Sequence, residues 1–189
     1  MPWLRGNLHA HTTFSDGVRS PAALLDEYES RGYDFLAITD HDDHENWIEP
    51  GYEQALARLA PKLLLFRGIE LSFDAFPQHV GKVMGETETL WVLNHPARYK
   101  LSVRQTVDRI GIIREFGWPL DAIEVSDTGK YRPLYDTPAI PLVKVATDDA
   151  HYPAHFGRAW IEVDAPRSRD AIIRAIRAGD ARVVFKSAS

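Results

Sequence analysis

The chain has 189 residues, 44% hydrophobic and 26% charged, which suits one globular domain over residues 1–189 with a core of its own. A formal charge of -5 argues against nucleic acid as a general partner, since such binders present a basic face, and zero cysteines exclude disulfides, thiolate nucleophiles and thiolate metal sites together. No apolar run approaches the roughly 18 residues of a membrane span and no basic-then-apolar leader opens the chain, so a cytoplasmic protein with no membrane partner is expected.

The first strand is read over Leu4–His9. Because strand side chains alternate, His9 and His11 are expected on one face and Leu8 with Ala10 on the other, so the two imidazoles can share a metal. Ser20 before Pro21 marks a helix start, Leu24, Leu25 and Tyr28 form its apolar face, and Gly32 stops it. Phe35–Thr39 is the next strand. A helix over Gly51–Ala60 carries Tyr52, Ala55, Leu56 and Leu59 and ends before Pro61. Strands follow over Leu63–Ile69, Val80–Met84 and Leu90–Leu93. Ser102 and Gln105 form an S-x-x-Q capping box ahead of Val103, Val107, Ile110 and Ile113, and Gly117 closes that helix. Ala122–Val125, Val143–Thr147, Ala159–Val163 and Val183–Phe185 complete the strands, with a last helix holding Ile172, Ile173 and Ile176 before Gly179. The segment YRPLYDTPAIP at 131–141 reads as a connecting loop. Alternating helices and apolar strands predict an α/β fold with mostly parallel pairing, as an open sheet or a barrel.

The chemistry-bearing residues fall at the ends of those strands. His9 and His11 close the first, Asp40 and His41 the second, Glu70 the third, His95 a later one, and Asp149 with His151 another. In α/β folds the carboxyl ends of strands gather around one mouth, so distant segments would deliver imidazoles and carboxylates to one place. Buried imidazoles and carboxylates need partners, and a polynuclear metal site supplies them. With no thiolate present, this donor set suits Zn, Mn or Fe, and part of the acidic excess is a ligand set for cations.

Here H-x-H followed by S-D-G, then TDHD, GIE, NHP and DAH in order, resemble the PHP (polymerase and histidinol phosphatase) family of metal-dependent phosphoesterases from residue 4 to about residue 160. The resemblance implies a distorted (βα)7 TIM-like barrel, a single compact domain, with two or three divalent metal ions at the carboxyl face of the strands. It implies that His9, His11, Glu70 and Asp149 hold one metal and that Glu70 bridges to a second completed by His79 and His95. Asp16, His41 and His151 would hold the third, Asp16 standing where other members have histidine. The D-x-H spacing favours Asp149 over Asp148, which is then an outer group.

The implied activity is hydrolysis of small phosphomonoesters or nucleotide phosphates by metal-activated hydroxide, with Asp16 or His151 protonating the leaving oxygen. Arg98 and Arg158 are candidate phosphate binders. Asp40 is expected either to fix an imidazole tautomer or to cap the following turn, and Glu124 to be structural or to support a ligand. His44 and His155 have no assigned role. The opening WLRGNLHAHTTFSDG with RGYDFLAITDHD also looks like the branch related to carbaryl hydrolase, which implies carbamate, ester or amide cleavage on the same platform. A metal-binding module without turnover is the reading from another class. Glu70 and His95 are only 25 positions apart, without the covering insertion of many relatives, so an open mouth is expected. The oligomeric state is left open.

Overall fold

A computed structural model describes residues 3–43 and 50–187; the expectation for His44 lies outside them. In chain order the elements are β1 (Leu4–Asn7), α1 (Pro21–Ser30), β2 (Phe35–Ile38), α2 (Pro50–Ala57), β3 (Leu64–Ser72), β4 (His79–Met84), β5 (Thr89–Leu93), α3 (Val103–Glu115), β6 (Ala122–Glu124), β7 (Ser126–Asp127), β8 (Lys130–Tyr131), β9 (Val143–Val145), β10 (Ala159–Val163), α4 (Arg169–Ala178) and β11 (Ala181–Phe185).

The helix ends follow from their capping residues. Ser20 accepts a hydrogen bond from the Ala23 amide and Pro21 opens α1; Ser102 and Gln105 make both bonds of a capping box on α3. Ser168 caps α4 in the same way, and Gly179 ends it with the left-handed backbone (φ 85°) that glycine adopts without a Cβ penalty.

Nine strands form one curved sheet in the order β11-β10-β1-β2-β3-β4-β5-β6-β9, and β11 lies against β9, so the sheet is a nearly closed barrel. The α/β barrel is the fold expected, but its pairing is not mostly parallel. The pairs β1–β2, β2–β3, β5–β6 and β6–β9 are parallel, whereas β1–β10, β10–β11, β3–β4 and β4–β5 are antiparallel. The links from β3 to β4 and from β4 to β5 are too short to hold a crossover helix, and only a hairpin can join strands that way. Strict strand-helix repetition is therefore interrupted between Leu64 and Leu93.

Side chains fill the barrel. Leu4, Leu8, Phe35, Phe66, Val83, Leu90, Val92, Ile161 and Val163 pack inside, and Ile172, Ile173 and Ile176 of α4 join the same cluster. Each large buried side chain contributes about 1.5–3 kcal/mol by leaving water. Outside, α1 and α2 cover β2 through Leu24, Tyr28 and Leu56, and α3 covers β4 to β6 through Ile110 and Ile113.

The strand alternation expected at the first motif breaks. β1 ends at Asn7, whose side-chain oxygen accepts from the His9 amide at 3.1 Å and bends the chain. Leu8 stays in the interior cluster, Ala10 packs in the outer layer, and His9 and His11 both enter the site. Residues 9–11 continue extended between neighbouring segments, with Ala10 bridged to Ala150 and its carbonyl accepting from the Thr39 amide.

Candidate metal centre

At the carboxyl end of the barrel strands, His9 Nε2, His11 Nε2, Glu70 Oε2 and Asp149 Oδ1 converge. The two imidazole nitrogens are 3.0 Å apart; Glu70 Oε2 is 3.1 Å from His9 and 3.2 Å from His11, and Asp149 Oδ1 is 3.3 Å and 3.5 Å from them. Donors about 2.0–2.1 Å from a tetrahedral cation stand about 3.3 Å from one another, so these separations are those of a metal's ligand shell. Glu70 Oε2 and Asp149 Oδ1 are buried and make no hydrogen bond within the described residues. Buried carboxylate oxygens without donors are costly, and a shared divalent cation is the partner this geometry fits.

Two further groups surround the first. Glu70 Oε1 lies 2.9 Å from His95 Nε2 and 3.3 Å from His79 Nδ1, and Glu70 Oε2 lies 3.4 Å from His41 Nε2. His79, the first residue of β4, therefore stands beside Glu70 across the β3–β4 pair. On the outer side, Asp16 Oδ2 is 3.1 Å from His151 Nε2 and 3.7 Å from His41 Nε2, and Asp16 Oδ1 is 3.4 Å from His11 Nδ1. The inner group is buried throughout, whereas the Asp16 side chain is 40% exposed at the mouth. All nine expected donors come together, and Glu70 touches the inner and middle groups as a bridging carboxylate would.

Two of these residues sit in unusual backbone. His95 has φ 27° and Asp149 φ 46°, a region that non-glycine residues occupy only when the surroundings hold them there. Glu124 does part of that work: its Oε2 accepts from the His95 amide at 2.7 Å. Its Oε1 faces His9 Nδ1 at 2.8 Å, which leaves the His9 Nε2 lone pair for the metal. Glu124 thus supports ligands, one of the two roles expected for it. Asn94, which sequence reasoning missed, donates to Glu70 Oε1 at 2.8 Å; its only signal was a polar residue beside His95 at a buried strand end.

Among the described residues Asp40 fixes no imidazole. It accepts from the Thr12 amide, Thr12 Oγ1 and Ser15 Oγ at 2.7, 2.7 and 2.6 Å, and so folds the loop that carries Asp16. In place of the following turn, the preceding loop uses it, because a fully buried carboxylate satisfies whichever donors the fold brings nearest. Gly17 completes that loop: a Cβ there would stand 2.3 Å from the His11 carbonyl oxygen. Asp148 faces outward, accepting from Tyr28 Oη and from the amides of Gly157, Arg158 and Ala159 at 2.7–2.9 Å.

Electrostatics reinforce the grouping. Burial alone would push the Glu70 and Asp149 carboxyls up, but the facing imidazoles of His9 and His11 hold both well below the usual range. Burial alone would pull His11 down, yet the facing carboxylates of Asp149 and Glu70 raise it to about 9. At His41 burial outweighs the nearby Glu70 and Asp16 carboxylates and lowers the imidazole to about 4. At neutral pH it is an unprotonated donor.

Arg98 reaches the site and pairs with Asp149 Oδ2, with Asp127 Oδ1 at 3.5 Å. Arg158 donates through its guanidinium to the Thr128 carbonyl and through its amide to Asp148. Among the described residues Arg158 makes no hydrogen bond to the donor set. His155 accepts from the His151 amide through Nδ1 at 3.3 Å and so steadies the third group.

The fold is a PHP-like α/β barrel, and its His, Asp and Glu clusters are ones that could hold divalent metal ions. Residues 142–181 match a family model described as PHP-associated. Over 103 residues, 54% of this chain, the sequence is 33% identical to the 5'-3' exoribonuclease Rnm of Escherichia coli, and the chain spans about one third (33%) of that relative's length. The fold matches a two-domain protein of Bacteroides vulgatus containing a predicted PHP-like metal-dependent phosphoesterase, with TM-score 0.74 and 20% identity, over 97% of this chain and 65% of that one. It also matches an amidohydrolase of Chromobacterium violaceum with TM-score 0.64 and 16% identity, over 95% and 97% of the two chains. The resemblance to the PHP family read from the ordered motifs is borne out. Among the described residues no helix is long and apolar enough to cross a membrane.

Proposed function

We propose that the protein is a metal-dependent phosphoesterase acting on small phosphomonoesters or nucleotide phosphates. The observation that carries this reading is the set of four buried donor atoms at 3.0–3.5 Å, two of them carboxylate oxygens without hydrogen bonds. His9, His11, Glu70 and Asp149 would hold one cation, Glu70, His79 and His95 a second, and Asp16, His41 and His151 a third. Bound divalent Zn, Mn or Fe would acidify a water and neutralise charge on the phosphoryl oxygens.

The chain's own residues supply the rest. Glu124 and Asn94 hold His9 and Glu70 in register, so the centre needs little rearrangement. Arg98, drawn to Asp149 and Asp127, has a forked guanidinium at the rim where a phosphoryl group would be met. Asp16 and His151 form the most exposed group and stand 3.1 Å apart at the mouth, where one of them would pass a proton to the leaving oxygen. Arg158, tied to Thr128, would reach only the outer part of a substrate.

The fold shared with an amidohydrolase favours carbamate, ester or amide hydrolysis as the second reading. The likeness to an exoribonuclease favours including nucleotide ends among the phosphoesters, despite the acidic chain. Purification without chelator, elemental analysis, and hydrolysis of p-nitrophenyl phosphate, p-nitrophenyl acetate and a short oligoribonucleotide test these readings on one sample. Two to three metals per chain with phosphatase turnover, lost in His11→Ala and Glu70→Ala variants that still fold, is the expected result. Full activity in either variant would overturn the assignment.

A further inference from the structure

Among the described residues, two exposed apolar side chains stand beside the Asp16–His151 group. Val18 follows Asp16 by two positions and is 48% exposed; Tyr152 follows His151 directly and is 51% exposed. The Val18 amide donates to the His151 carbonyl at 3.0 Å, which joins the loop of Asp16 to the loop of His151 and Tyr152. The Tyr152 ring is held from behind, nearly perpendicular to the His155 ring (89°, centroids 5.5 Å apart) and within 28° of parallel to the His151 ring at 6.4 Å. An aromatic ring braced on two sides and half exposed has lost most of its rotamer freedom, so stacking on it costs little further ordering. Surface aromatic residues elsewhere are differently placed: Phe116 ends α3 against Phe73, and Tyr131 packs on Phe185.

We infer that Tyr152, with Val18, is a specificity-determining shelf that binds a flat aromatic ring on the substrate, either an aryl group or a nucleobase. The inference rests on the metallohydrolase reading for the position of the reacting ester. Stacking is tolerant of ring identity because every such ring presents a π face, so the shelf selects a class rather than one compound.

The metal-loaded protein is assayed with p-nitrophenyl phosphate and with glycerol 2-phosphate, and equilibrium binding of phenylphosphonate and methylphosphonate is followed by calorimetry. The wild type is expected to favour the aryl ester through KM. Tyr152→Ala should shrink that preference about ten-fold, with kcat for the aryl ester little changed, and Tyr152→Phe should restore it because the phenol oxygen takes no part. Equal preference in wild type and Tyr152→Ala, with metal content intact, overturns the shelf while leaving the hydrolase reading standing. If neither ester is turned over, the phosphoesterase reading fails and the phosphonates still decide: a phenyl preference lost in Tyr152→Ala supports the shelf, and equal binding of the two overturns it. An aryl preference lost equally in Tyr152→Phe also overturns it, since the ring face would not then be the binding element.

Discussion

His9 Nδ1 and Glu124 Oε1 meet at 2.8 Å although the residues are 115 positions apart, and this contact aims His9 Nε2 at Glu70 and Asp149. Removing the carboxylate frees the imidazole to rotate and to exchange tautomers. Glu124→Ala is expected to weaken metal affinity about 10- to 100-fold, as loss of a ligand's supporting partner does, measured by competition with a chromophoric chelator. An unchanged affinity would show that His9 is held by packing alone.

Protons compete with the metal at this site. His11 in the folded, metal-free protein is raised to about 9, so at pH 7 it carries a proton that ligation must expel. Calorimetric titration with Zn in buffers of different ionisation enthalpy should show proton release at pH 7 that shrinks toward pH 9, with apparent affinity rising over the same window. Because the folded value lies above the ordinary value of 6.5, the stability His11 contributes without metal is present below about 6.5 and is lost as pH rises through about 9. Thermal melts of chelated protein should therefore fall across that window, and metal-loaded protein should not follow.

Asp148 and Asp149 are adjacent yet separable. Asp148→Ala leaves three backbone amides and the Tyr28 hydroxyl without their acceptor in a buried site, and is expected to cost about 3–5 kcal/mol in urea unfolding. Asp149→Ala should instead lower metal content, with chelated protein no less stable than the chelated wild type by more than about 2 kcal/mol. The reverse pattern would exchange the two assignments.

Gly17 admits the loop of Asp16 against the His11 carbonyl. Gly17→Ala should push that loop outward and thereby loosen the outermost donor group. Metal stoichiometry is expected to fall by about one per chain while the inner group stays loaded, which elemental analysis of the dialysed variant reads directly.

What the sequence determined by itself is local. Ser20 with Pro21, the Ser102–Gln105 box and Gly179 mark helix ends because capping is settled within four residues. The placing of imidazoles and carboxylates at strand ends was equally legible, since apolar runs bound them and the absence of cysteine narrowed the chemistry. The His9–His11 pair was legible as a pair, but its orientation was not, because the bend at Asn7 depends on a side-chain bond that no alternation pattern encodes.

Tertiary structure decided the rest. Half of the pairings along the barrel are antiparallel: two follow from the short β3–β4 and β4–β5 links, and the other two, β1–β10 and β10–β11, are set by sheet closure. That Asp40 folds a loop, that Arg98 faces Asp149 and that Asn94 holds Glu70 are contacts across 24 to 51 positions. Such contacts depend on strand register and on the packing inside the barrel. A spacing rule reports which donors a chain carries; only the nearly closed sheet, with its interior filled, brings them to 3.0–3.5 Å from one another, the spacing of ligands around one cation.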